Sequence, residues 1–218
     1  LQAALASAGS AGRAAQAVTH HLSGEAHGPR VAAADPVYRR LLATSAPAGI
    51  AAAERHLFAC LLAVAVAEPY PLAVALGLDE WELAELLQRC FPGFAPATLE
   101  AGRHRGQAPP AANPEVLAIL RSHLPPGDDP APGWLAQAIA ARAAHPGHLW
   151  VAMGLFERPE LTAAIRRLLP SLAAANRQGM RWKRFLFRQV CELHGATLCK
   201  TPDCGECSDY ALCFPGET

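Results

Sequence analysis

Prolines interrupt this chain at short intervals, and the stretches between them carry apolar residues at helical rather than strand spacing. There are 19 prolines in 218 residues. Inside a sheet each would delete a ladder hydrogen bond, whereas at the first turn of a helix proline removes a donor that has no intrahelical partner anyway. The intervening segments are dominated by alanine, the best helix former. The expected fold is therefore all-α: a single helical domain with Pro-rich connections, followed by a cysteine-rich C-terminal loop.

Val37, Leu41 and Leu42 begin the pattern after Pro36, and a long apolar helix is predicted over residues 50–67. Cys60 sits among Leu57, Phe58, Leu61 and Leu62 and reads as a small buried hydrophobe. Asp79, with Glu82 three residues on, has the form of a capping box. Leu83, Leu86, Leu87 and Cys90 then share one face until Phe91-Pro92-Gly93 stops the helix. Further helices are expected from Glu115, over 134–144 and from Pro159, with loops over 93–114 and 125–130. Residues 1–34 hold few large apolar groups and read as a loosely ordered segment, whose His20, His21 and His27 are solvated. The helical domain then runs over 35–195 and the cluster-binding loop over 196–218.

Lys+Arg and Asp+Glu balance at 19 each, with a pI near 7.2, so no global field draws the chain to nucleic acid or to an acidic membrane. The longest apolar run, Leu57 to Ala67, is about half of a membrane span. The opening residues lack a charged stretch followed by a sustained apolar one, so export is not expected. Seven cysteines, four of them bunched, suit metal ligation in a reducing cytoplasm better than a disulfide framework.

Those four stand as Cys199-x4-Cys204-x2-Cys207-x5-Cys213, four potential thiolates within fifteen residues. Structural zinc sites usually pair two knuckles across a longer insertion. Here the ligands are nearly contiguous, and Pro202 and Gly205 impose turns, so the loop suits a wider object such as an iron-sulfur cluster. Three readings stay open on spacing alone: a cluster carrier, a zinc-dependent interaction module, and an iron-sulfur DNA-repair glycosylase. The last opens with a longer spacer and carries a helix-hairpin-helix turn that is absent here.

Upstream, residues 177–193 are predicted to form one amphipathic helix. Arg177, Arg181, Arg184 and Arg188 make a basic stripe, and Trp182, Leu186, Val190 and Leu193 lie opposite. The stripe is a candidate for docking an anion or an acidic partner. Cys191 reads as a spare thiol. His194 reads first as a residue that ends the helix near its C-terminal dipole, with a fifth-donor role as the lesser alternative.

Three blocks of residues then carry a family resemblance: Gly147-His148-Leu149-Trp150 with Met153-Gly154-Leu155, the run Asn176 to Cys191 containing Met180-Arg181-Trp182-Lys183-Arg184-Phe185-Leu186, and Cys204-Gly205-Glu206-Cys207 with Cys213-Phe214. Together with the cysteine spacing they resemble the NifQ family of nitrogenase iron-molybdenum cofactor biosynthesis. Gly147 and Met153 depart from the family's pattern.

The resemblance implies a molybdenum-handling protein. It implies Cys199, Cys204, Cys207 and Cys213 as ligands of an iron-sulfur cluster, of 4Fe-4S or 3Fe-4S type, that incorporates molybdenum. It further implies donation to the NifEN scaffold together with NifH, with molybdate or a molybdenum-sulfur species as the incoming cargo and no part for nucleic acid or membrane. His148, inside a family-like block, is an additional metal candidate. With no nucleophile triad, phosphate loop or paired acid and base in the sequence, the expectation is a metallocluster carrier rather than a turnover enzyme.

Overall fold

A computed structural model describes residues 35–100 and 106–195, and among these residues the chain forms eleven α-helices and no strand. The fold is all-α, as the proline and alanine pattern requires. The N-terminal segment 1–34 and the cysteine loop 196–218 lie outside the described residues.

Two helices form the centre because they are apolar on almost every side. From Leu57 to Val66 every residue of α2 (Ala52–Val66) is buried, and α7 (Ala131–Ala143) buries Trp134, Leu135, Ala136, Ala138, Ile139 and Ala140. A helix without a polar face must be covered all round. Accordingly α1 (Pro36–Leu42), α3 (Leu72–Leu76), α4 (Glu80–Cys90) and α9 (Arg158–Leu168) pack on α2. The same α3, α4 and α9, with α6 (Pro114–Ser122) and α8 (Leu149–Ala152), pack on α7. Phe58 meets Trp134 edge to face at 5.8 Å between ring centroids, joining the two central helices. Short α5 (Pro96–Glu100) follows α4, α10 (Pro170–Ala175) packs on α9, and α11 (Trp182–Leu193) packs on α6.

Small residues permit close approach. Gly77 ends α3 at φ +69°, and a Cβ there would stand 3.0 Å from the Gln137 carbonyl oxygen of α7. Only glycine satisfies both the left-handed turn and the short distance.

The capping box of α4 forms as the sequence indicates: Glu82 N–H donates to Asp79 Oδ1 at 2.8 Å, and Asp79 N–H donates to Glu82 Oε2 at 2.9 Å. Cys60 and Cys90 are fully buried free thiols. Burial raises both thiol pKa values, that of Cys90 to about 12, so neither supplies a thiolate at neutral pH. The buried Arg55 ties three helices by donating Nε to the Cys90 carbonyl at 3.0 Å and Nη2 to the Thr44 carbonyl at 2.9 Å. Among the described residues no helix is long and apolar enough to cross a membrane.

Candidate metal centre

The cysteine segment follows α11 in sequence, so the anchoring of this helix fixes the point from which that segment continues. Trp182, Phe185, Leu186 and Val190 are buried at i, i+3, i+4 and i+8. Each such side chain contributes about 1.5–3 kcal/mol on burial. Trp182 lies edge-on to Phe185 at 5.9 Å and donates Nε1–H to Thr162 Oγ1 of α9 at 3.0 Å, satisfying its only polar group.

A second anchor crosses to another part of the chain. Lys183 Nζ donates to the carbonyl of His145 at 2.7 Å and to that of Gly147 at 3.4 Å, gripping the turn between α7 and α8. His148 follows as the N-cap residue of α8, with extended backbone and a half-buried side chain that makes no capping bond. Two of the three family-like blocks, far apart in sequence, thus meet through Lys183.

Beneath that turn lies a buried charge network. Arg142, 1% exposed, donates Nη1 and Nη2 to the two carboxylate oxygens of Glu68 at 2.7 Å each, and Nε to the Ala152 carbonyl at 2.6 Å. It therefore joins α7, on which it lies, to Glu68 shortly after α2 and to the last residue of α8. His145 lies beside this pair, and burial, aided by the Arg142 charge, lowers its pKa from 6.5 to about 4. The ring is neutral at physiological pH and packs edge-on against Tyr70.

The helix differs from its expected extent. It begins at Trp182 rather than Arg177, because Gly179 turns the chain at φ +61°. Asn176 clamps the turn, its Oδ1 accepting from Met180 N–H and its Nδ2 donating to Met180 O, both at 2.8 Å. Arg177 consequently belongs to the turn, Arg181 to the N-cap, and Arg184 and Arg188 to the helix. Arg177 and Arg188 still come together, lining one open concavity of about 220 Å³ with Gln178, Met180, Gln189 and Glu192. Arg188 is ion-paired with Glu192 at 2.7 Å. Leu193, expected on the apolar side, is exposed beyond the last turn that packs.

Cys199, Cys204, Cys207 and Cys213 lie outside the described residues, as does any relation between them and His148. Among the described residues no three His, Cys, Asp or Glu side chains gather to hold a metal ion. The candidate donors expected from the sequence begin four positions after Gly195, which closes α11 at φ +69°, and Cys191, expected as a spare thiol, is disulfide-bonded. Four soft thiolates at spacings of four, two and five residues fit an iron-sulfur centre chemically. Sequence reasoning missed Lys183 and Arg142 as organisers of this end of the molecule, and also Glu115, which from the first turn of α6 is hydrogen-bonded to His194 at the C-cap of α11. Their partners are backbone carbonyls or residues distant in sequence, and neither leaves a local pattern.

Comparison with known proteins bears on the same region. The NifQ family model matches residues 57–215, from α2 through all four cysteines. The Sinorhizobium fredii (strain NGR234) protein NifQ homolog is 34% identical over 165 residues, covering 74% of this chain and 71% of its own length. Protein NifQ of Rhodobacter capsulatus is 38% identical over 149 residues, 66% of this chain and 78% of its own. That of Azotobacter vinelandii is 32% identical over 152 residues, 65% and 78% respectively. No solved structure matches the chain. With most of the helices, from Leu57 of α2 onward, and all four cysteines falling inside one family match, the chain belongs to the NifQ family.

Proposed function

We propose that this chain, whose family membership implies a role in nitrogenase iron-molybdenum cofactor biosynthesis, is a carrier that holds molybdenum in an iron-sulfur setting and donates it to the assembly scaffold. The observation that carries this reading is the set of four closely spaced cysteines at the end of a firmly anchored helix, all within the family match. Thiolates hold iron and, with sulfide, suit molybdenum once its oxyanion oxygens have been replaced. Cys199, Cys204, Cys207 and Cys213 are the ligands in this proposal, and His148 is a further candidate.

A carrier must also release its cargo. In this proposal the cluster is held by a short run of sequence rather than by side chains gathered from several helices, which suits transfer to a receiving protein. The recipients in this proposal are NifEN and NifH, and the setting is the cytoplasm. Arg177 and Arg188 at the shared concavity, with Arg181 and Arg184 nearby in sequence, are proposed to attract molybdate or an acidic partner. No turnover chemistry is assigned to the protein.

Anaerobic purification with analysis of iron, molybdenum, zinc and sulfide tests the proposal, repeated on Cys199→Ala and Cys213→Ala. Iron and sulfide with molybdenum in the parent protein, reduced in both variants, is the expected result. Zinc alone under cluster-permissive conditions refutes it.

A further inference from the structure

Trp81, the second residue of α4, is 85% exposed, on the side of the helix away from the packed face of Leu83, Leu86, Leu87 and Cys90. An indole is among the largest apolar surfaces a side chain can offer, and in water its burial gain is forgone. Four large apolar side chains are exposed among the described residues. Two of them, Val74 of α3 and Trp81, lie on either side of the Gly77 turn.

The surroundings are acidic. Residues 69–88 include Asp79, Glu80, Glu82 and Glu85 and no lysine or arginine. Asp79 and Glu82 serve the fold through the capping box, and Glu82 also accepts from Gln137 Nε2 at 2.6 Å. Glu80 sits in the first turn, where the helix dipole favours an acid. Glu85 lies beyond that turn, four residues on from Trp81 and on the same exposed face as Ala84 and Gln88. Helix stability therefore accounts for neither Trp81 nor Glu85. The next basic residue, Arg89, is ion-paired with Asp129 at 2.8 Å and lies over the Trp134 ring, so its charge is already engaged elsewhere.

An aromatic anchor flanked by carboxylates selects its occupant by charge. Nucleic acid and anionic membrane are repelled. A second copy docking through the same face would set Glu80 and Glu85 against their own counterparts. A small organic cation would need an aromatic cage, and Trp81 supplies one wall. A protein surface bearing arginine matches both features, because a guanidinium stacks on an indole and pairs with a carboxylate. We propose that Trp81, Glu80 and Glu85 form a docking face for a partner protein whose surface presents arginine beside an apolar residue. This face is opposite in sign to the concavity beside α11, and the inference requires neither the cysteines nor the carrier reading.

The test uses the full-length protein with its tryptophan indoles labelled with nitrogen-15. The probes are a short fluorescent peptide of alternating arginine and leucine and the same peptide with glutamate for arginine. Nuclear magnetic resonance locates binding, the Trp81 signal being the one missing from Trp81→Ala, and fluorescence anisotropy reads affinity. An 85% exposed side chain should be replaceable without loss of fold, which circular dichroism checks. The arginine peptide should shift the Trp81 signal and the glutamate peptide should not. Binding should weaken about tenfold in Trp81→Ala. It should weaken about threefold in Glu80→Gln combined with Glu85→Gln, with less sensitivity to salt. Undiminished affinity in Trp81→Ala, an equal response to both peptides, or no shift at Trp81 overturns the inference. Sedimentation showing that the parent self-associates through Trp81 assigns the face to a second copy and overturns it as well.

Discussion

Replacing Arg142 with methionine keeps the aliphatic stem and most of the volume while deleting the charge at the centre of the Glu68, His145 and Ala152 network. In the parent, Arg142 is 1% exposed and Glu68 14% on the side chain, and two 2.7 Å bonds join them. Removing one partner of a buried pair costs about 3–5 kcal/mol, mainly because the other charge is left unpaired. Glu68 retains some water, which places the expected loss near the lower end, about 3 kcal/mol. With a urea dependence of about 2 kcal/mol/M, the unfolding midpoint should fall by about 1.5 M. Urea denaturation followed by circular dichroism measures this directly. Arg142→Met with Glu68→Leu should be much less destabilised than the two single changes summed, since an apolar pair removes both desolvation costs. A midpoint shift under about 0.3 M, or strict additivity in the double variant, would refute the claim that this pair holds the turn on which Lys183 and α11 rest.

Two further outcomes follow from the same geometry. His145 has its pKa lowered to about 4 in the folded protein against an ordinary 6.5, so the unfolded chain binds the extra proton first and stability must fall as pH drops from 6.5 towards 4. After allowance for the partial solvent access of the ring, His145 should account for about 1–2 kcal/mol of that loss, and His145→Gln should flatten the stability profile in this window. Arg177→Glu combined with Arg188→Glu should slow molybdate uptake most at low ionic strength, and an unchanged uptake rate would remove the concavity from the loading route.

The residues that announced themselves in sequence are those whose partners are local. The Asp79 and Glu82 capping box needs only three residues of chain, and it forms as expected. The burial of Cys60 and Cys90 follows from apolar neighbours at helical spacing. The apolar surround of α2 marks it as a central helix from its residue pattern alone. The continuous helix expected over 177–193 failed at Gly179 because periodicity counts side chains and is blind to the Asn176 side chain clamping Met180. The candidate cysteine ligands were read from spacing together with the family resemblance, and they lie outside the described residues.

What the amino-acid order determined by itself is the helical class, one apolar central helix and the clustering of four cysteines toward one end, because each depends on short-range spacing and residue chemistry. The tertiary structure alone decided which distant groups meet at the root of the cysteine segment. Lys183 grips the carbonyls of His145 and Gly147 before His148, Arg142 joins Glu68 to Ala152, and Glu115 meets His194. All but the bond from Arg142 to Ala152 close long chain intervals, and they depend on how the helices pack rather than on any local pattern.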